Sequence, residues 1–196
     1  MTAAEPTAPL QALQAAIAAC LADPLAFGAA AAHDLRPGRA SLAGRLHESF
    51  VAAAADPATR SAAPDRAWRM LAAMATAMSE THGQPLAGLQ VLELAAGQPG
   101  ASQPLATELQ ARIATMRRVQ AFNQAMEDAR AMQYGSALRQ LDRLEPMLTD
   151  AADRARLAEL RALFRYRRQQ AWAAGVALAM LVGALSFFMY SGVRLR

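Results

Sequence analysis

The sequence predicts an all-α protein, a multi-helix bundle followed by one C-terminal transmembrane helix. Three observations carry that prediction. No segment alternates apolar and polar residues with the period of two that a half-buried strand requires. Helix punctuation recurs instead: Asp23-Pro24 and Asp56-Pro57 each read as an N-cap followed by proline at the first helical position. From Ala171 to Val193 no side chain is charged, enough apolar helix to span a bilayer.

Residues 1–8, which include Glu5 and Pro6, carry no large apolar side chain beyond Met1 and are expected to be a disordered N-terminus. The start of the chain has no positive n-region, so it makes a poor secretory signal. Residues 9–97 read as an alanine-rich region of several short helices. Leu10, Leu13, Ile17 and Leu21 follow the spacing of one helix face, with Cys20 beside it. Ile17-Ala18-Ala19-Cys20 resembles a lipobox, but Gln11 and Gln14 break the stretch before it and no Lys or Arg precedes it. Cys20 is therefore read as a small apolar core residue and not as a lipidated one. A single cysteine allows no intramolecular disulfide, which fits a reducing compartment.

Ser41 can cap a helix that carries Leu42, Leu46 and Phe50 on one face. Pro64-Asp65 opens a stretch with Trp68, Leu71, Ala75 and Met78 at helical spacing, closed by His82-Gly83. Pro85 opens another, with Leu86, Leu89 and Leu92 expected inward, ending at Gly97. Residues 98–104 (QPGASQP) are a break, either a linker or a turn within one bundle.

Residues 105–170 are expected to form a helical hairpin. Its first helix runs from Pro104 to about Met132 with an imperfect stripe of Leu105, Leu109, Ile113, Met116, Gln120 and Met126. Glu108 and Arg112 form an i,i+4 pair on its outside. From Ala151 there is no Gly or Pro until Gly175. Leu157, Leu160 and Phe164 make an inward stripe there, with Arg154, Arg161, Arg165 and Arg168 outside it. This helix is expected to run without a break into the anchor, residues 171–193, followed by a short tail, 194–196.

Between these helices, Gln133-Tyr134-Gly135-Ser136-Ala137-Leu138-Arg139-Gln140-Leu141 resembles the turn and second helix of a tetratricopeptide repeat. Tyr134, Ala137 and Leu141 stand for its aromatic, small and bulky positions. The small residue lets two helices approach and the large ones fill the groove. Ala125 and Asp128 depart from the pattern, standing where the first helix of the repeat usually has glycine and tyrosine, and Pro146 comes early. The likeness covers about one repeat, around residues 119–150. An ordinary helical hairpin in a bundle fits the same residues.

The anchor has the marks of a membrane span. Trp172 to Tyr190 is nineteen residues, about 28 Å as a helix, against a hydrocarbon core of roughly 30 Å. Trp172 and Tyr190 place amphipathic rings at its two ends. Arg161, Arg165, Arg167 and Arg168 flank it before, and Arg194 and Arg196 after. The heavier positive flank predicts a single-pass protein of the cell inner membrane with a cytoplasmic N-terminus. Ala171, Gly175, Ala179 and Gly183 form a small-residue face suited to a homodimer or a membrane partner. The span has no charged residue, which argues against a water-filled pore.

Composition narrows the function. The chain has no lysine; all 20 basic residues are arginine, and with so much alanine this suggests a GC-rich, bacterial genome. Phosphate-loop enzymes, protein kinases and pyridoxal enzymes each need a lysine, so none is available in its usual form. His33, His47 and His82 lie far apart and match no zinc-ligand spacing. No G-x-S-x-G or G-x-G-x-x-G occurs. No catalytic residue, metal site or cofactor is therefore predicted, and the protein is read as a non-enzyme.

The pI near 10.2 invites a nucleic-acid partner, but the charge distribution opposes one. Residues 1–150 carry twelve arginines against fourteen acids, whereas residues 151–196 carry eight against two. Excess charge beside a span fixes topology and meets anionic lipid headgroups. The expectation is a tail-anchored adaptor or assembly factor that recruits a protein partner to the membrane, similar in layout to tail-anchored tetratricopeptide adaptors. The rivals are a membrane-active oligomer of holin or toxin type and a membrane-bound enzyme with an unrecognised site.

Overall fold

The computed structural model describes the backbone of residues 7–194 and the side chains of residues 7–183. The protein is all-helical, 85% helix with no strand among the described residues. The chain divides into two compact units, Met1–Gln120 and Ala121–Arg196. Of the expected disordered stretch 1–8, residues 1–6 lie outside the described residues, as does most of the 194–196 tail. Thr7 and Ala8 are ordered instead, Ala8 opening the first helix and the Thr7 hydroxyl meeting that of Thr59 at 2.6 Å.

The first unit contains α1 (Ala8–Ala22), α2 (Pro24–Asp34), α3 (Leu42–Ala55), α4 (Pro57–Ala62), α5 (Arg66–Thr76), α6 (Pro85–Gly97) and the larger part of α7 (Gln103–Arg130). The caps read from the sequence are formed. The Asp23 carboxylate accepts from the Ala26 amide, the Ser41 hydroxyl from Gly44, and the Asp56 carboxylate from Thr59. Each satisfies an amide that the first helical turn leaves without a partner. Proline follows Asp23 and Asp56 at the first helical position, where a missing N–H costs nothing. At its far end α5 widens into a π turn, Ala77–Thr81, in which the His82 amide donates to the Ala77 carbonyl. Gly83, with φ +63°, then reverses the chain.

The core of this unit is a few large side chains set among many small ones. Phe27, Phe50, Trp68, Leu71, Met74 and Met78 are buried, and the rings of Phe50 and Trp68 meet edge-on at 5.7 Å. Ala43, Ala53, Ala54, Ala67, Ala75, Ala87 and Ala95 are buried with them. Alanine buries little area, so these helices gain by approaching closely and multiplying dispersion contacts. Gly88 shows how closely: a Cβ there would stand 2.6 Å from the Ala75 carbonyl oxygen of α5. Cys20 is likewise fully buried in α1, and burial pushes its thiol pKa up to about 11.

Leu86 departs from its expected inward position and is 46% exposed. The buried face of α6 runs through Gly88, Val91, Leu92 and Ala95. Leu86 stands two residues before Gly88, about 200° around the helix, and so faces outward.

The 98–104 break is a turn within the first unit. Asp65, at the start of α5, accepts from the Ser102 amide at 2.9 Å and from its hydroxyl at 2.5 Å. The Trp68 indole donates to the Gln98 carbonyl at 3.3 Å. Gly100, at φ +117°, passes against the Trp68 ring. The division of the chain therefore falls at Gln120, inside α7, and not at the break. Up to that point α7 buries Leu105, Leu109 and Ile113. On its outside, the expected Glu108–Arg112 pair closes at 2.7 Å.

The second unit contains the end of α7, α8 (Tyr134–Leu144), a short 3-10 turn (Glu145–Met147) and α9 (Ala151–Arg194). Met132, at φ +59°, makes the tight turn between α7 and α8. Pro146 is the second residue of the 3-10 turn that follows α8. Ala125, Ala137, Leu138, Leu141, Leu144, Leu157 and Phe164 form one buried cluster, with Tyr134 and Leu160 packed against it. α9 is continuous across the expected boundary at residue 170.

Among the described residues no single helix is long and apolar enough to cross a membrane. Side chains 184–193 of the expected anchor lie outside the described residues. α1 and α2 together are long and apolar enough, but they meet at 114°. Leu10, Leu13, Cys20, Phe27 and Ala31 bury them in the core.

Candidate functional site

The site of interest forms where α9 outruns α8. Over its first turns α9 is an ordinary amphipathic helix, with Leu157 and Phe164 buried against α8. Phe164 meets Tyr134 with ring centroids 6.3 Å apart. Arg161 departs from its expected outward position. Its side chain is only 14% exposed, and its guanidinium reaches Asp142 at 2.8 Å and Glu145 at 2.9 Å. It also donates to the Leu141 carbonyl at 3.3 Å. Arg161 thus spends its charge on clamping α8 to α9. Arg165, Arg167 and Arg168 are exposed.

Beyond Arg168 the helix loses its cover. Every described residue from Ala171 to Gly183 is exposed, including Trp172, Val176, Leu178, Met180, Leu181 and Val182. In water each exposed aliphatic side chain of this size forgoes about 1.5–3 kcal/mol relative to burial. The small face Ala171, Gly175, Ala179 and Gly183 is open along its length, and a Cβ added at Gly175 or Gly183 would meet nothing within 4 Å. Trp172 is 74% exposed. Tyr190, Arg194 and Arg196 lie outside the described side chains.

The tetratricopeptide-like positions come together as core. Ala137 and Leu141 are fully buried and Tyr134 packs beside them. Asp128, which breaks that pattern in the sequence, has a local role. It is largely buried, and hydrogen bonds from Ser136 in the first turn of α8 and from Gln124 hold its carboxyl below the usual range. A tyrosine there would forfeit this tie between α7 and α8.

The start of α8, the turn before it and the bare face of α9 enclose a groove of about 680 Å³. Gln133, Ser136, Arg139 and Arg168 supply its polar lining, and Trp172, Gly175, Val176 and Ala179 its apolar wall. Met132, 77% exposed, also lines it. No carboxylate lines the groove, and among the described residues neither Arg139 nor Arg168 has a salt bridge. Asp128 lies outside the lining but close enough to Arg139 to feel its charge; the bonds from Ser136 and Gln124 keep it ionised, so it offsets part of the charge of Arg139 and leaves that of Arg168 whole.

Sequence reasoning placed Tyr134 in a hairpin, and Arg168 and Ala171 at a membrane boundary, without bringing the two sets together. It missed Arg139 as a site residue. No local pattern distinguishes that arginine from its neighbours, because its place depends on the turn at Met132. The histidines stay apart: His47 meets the Leu35 carbonyl at 3.2 Å, and among the described residues no three His, Cys, Asp or Glu side chains could hold a metal ion together. Compared with known protein families, curated proteins and solved structures, the chain matches none of them.

Proposed function

We propose that the protein is a membrane-anchored helical adaptor or assembly factor. Residues 171–193 span a bacterial inner membrane, and the helical units recruit a protein partner on its cytoplasmic face. One observation carries this reading: from Ala171 to Gly183 α9 is apolar and exposed on every side. A helix that is apolar all round needs a covering medium. The uncharged run continues to Val193, which gives the length a bilayer requires. Arg165, Arg167 and Arg168, exposed just before the run, favour an N-terminal side in the cytoplasm. The continuity of α9 couples the α8–α9 hairpin rigidly to the span. A partner held by the hairpin is thereby held at the membrane, at high effective concentration. The likeness of Tyr134, Ala137 and Leu141 to a repeat that binds partner segments supports recruitment as the activity.

Fractionation of cells expressing the full chain tests the anchor. The protein is expected in the membrane fraction and resistant to carbonate wash, with the N-terminal side protected from protease added to spheroplasts. Release by carbonate would refute the span, and digestion from outside would refute the orientation. Crosslinking in native membranes, with an Arg161→Ala variant that loosens the hairpin, tests recruitment: a genuine partner is lost with the clamp. The open small face favours one rival, an oligomer whose span itself disturbs the bilayer. Dye leakage from vesicles on reconstitution would support that rival; intact vesicles support the adaptor.

A further inference from the structure

We propose that the groove at the base of α9 is a binding site for an anionic phospholipid, with the headgroup phosphate between Arg139 and Arg168 and an acyl chain along Trp172, Gly175, Val176 and Ala179. The inference rests on the membrane reading above and adds to it a defined site and ligand class.

The order of the lining residues carries the argument. Along α9 the groove begins at Arg168, passes the amphipathic ring of Trp172 and continues over Gly175, Val176 and Ala179. Arg168 to Ala179 is a rise of about 16 Å, close to the half-thickness of a bilayer hydrocarbon core. The polar end is completed by Gln133, Ser136 and Arg139 from α8 and the turn before it. A ligand matching this lining has a negative head with several acceptor oxygens and a long apolar tail. Arginine suits the head, because its planar fork meets two phosphate oxygens at once.

Charge complementarity selects among occupants. Two arginines line the groove and no carboxylate does. A second copy of this chain would bring its own arginines to the same place. A zwitterionic lipid would bring an ammonium as well as a phosphate. An anionic lipid brings a phosphate without a compensating cation. The absence of a side chain at Gly175, where a Cβ would meet nothing within 4 Å, leaves room for an acyl chain against the backbone.

Tryptophan quenching by brominated lipids tests this on the full chain. Trp68 is buried in the first unit, so a Trp68→Phe background leaves Trp172 as the reporter. The protein is reconstituted in phosphatidylcholine vesicles containing rising fractions of brominated phosphatidylglycerol or brominated phosphatidylcholine. Half-quenching is expected at an about fivefold lower mole fraction of the anionic lipid. Arg139→Gln with Arg168→Gln should abolish that preference, and Arg139→Lys with Arg168→Lys, which keeps the charge but not the planar fork, should retain only part of it. Arg165→Gln with Arg167→Gln removes the same charge from exposed positions outside the groove and should leave it intact. Equal loss from the two glutamine pairs would overturn the site in favour of a diffuse basic surface, and equal quenching by both lipids would overturn it outright. No quenching by either lipid would show that Trp172 is not in a bilayer and would overturn the membrane reading itself.

Discussion

At the scale of single residues, the polar side chains that matter most are tied to backbone at element ends. Asp65 was legible in the sequence as a helix opener beside Pro64, but the bonds it forms were not. In place of capping its own helix it receives the amide and hydroxyl of Ser102, and so fastens the 98–104 turn to α5. Those bonds, the hydroxyl first, hold its carboxyl below the usual 3.8. The sign follows from proton counting. The unfolded chain binds this proton more readily than the folded one, so the stabilisation is present above the unfolded value and is lost as pH falls through the folded one. Asp65→Asn is therefore expected to lower the melting temperature at neutral pH, with the two curves converging on acidification as pH falls through the lowered folded value. A constant gap between them on acidification would show that Asp65 does not titrate with folding.

At the scale of elements, α9 changes character along its length. Through Phe164 it is amphipathic and half-covered by α8; after Arg168 it is bare. The sequence announced that change by the end of its charges, but it did not reveal the inward turn of Arg161. A charged residue at helical spacing reads as solvent-facing unless its partners are known. Asp142 and Glu145 become partners only because α8 folds back on α9. Along the bare section the small face shares Ala171, Gly175 and Ala179 with the groove, so an acyl chain and a second helix compete for it, and self-association makes its own prediction. Gly175→Ile with Gly183→Ile should weaken self-association in a membrane two-hybrid assay, because bulk blocks the close backbone approach that such packing depends on. Ala177→Ile with Leu181→Ile, on the opposite side, should be nearly neutral. Insertion should survive both pairs, since neither adds polarity. Equal effects would mean that the glycine spacing has no role in association.

At the scale of the whole molecule, each unit has a core of its own, one around Phe50 and Trp68 and one around Leu141 and Phe164. Leu71 and Leu141 are fully buried in these respective cores. Leu71→Ala is expected to cost about 2–5 kcal/mol in the first unit, and Leu141→Ala a similar amount in the second. Hydrogen exchange on the full chain in micelles should show each substitution loosening only its own unit. If either one loosened both, the two units would have to be regarded as a single cooperative body.

The sequence by itself determined the helical class, the positions of most helix starts and the extent of the uncharged stretch from Ala171 to Val193. These are local matters: Asp23-Pro24, Ser41 and Asp56-Pro57 act on amides within one turn, and an unbroken run without charge needs no tertiary information to be read. Only the tertiary structure decided that the 98–104 break is a turn, that Leu86 faces outward, that Arg161 is a clamp and that Arg139 and Arg168 share a groove. Each depends on residues distant in sequence, and an alanine-rich chain marks those meetings poorly. With so few large side chains, several helix faces look equally apolar, and close backbone approach, as at Gly88 against Ala75, decides which of them is buried.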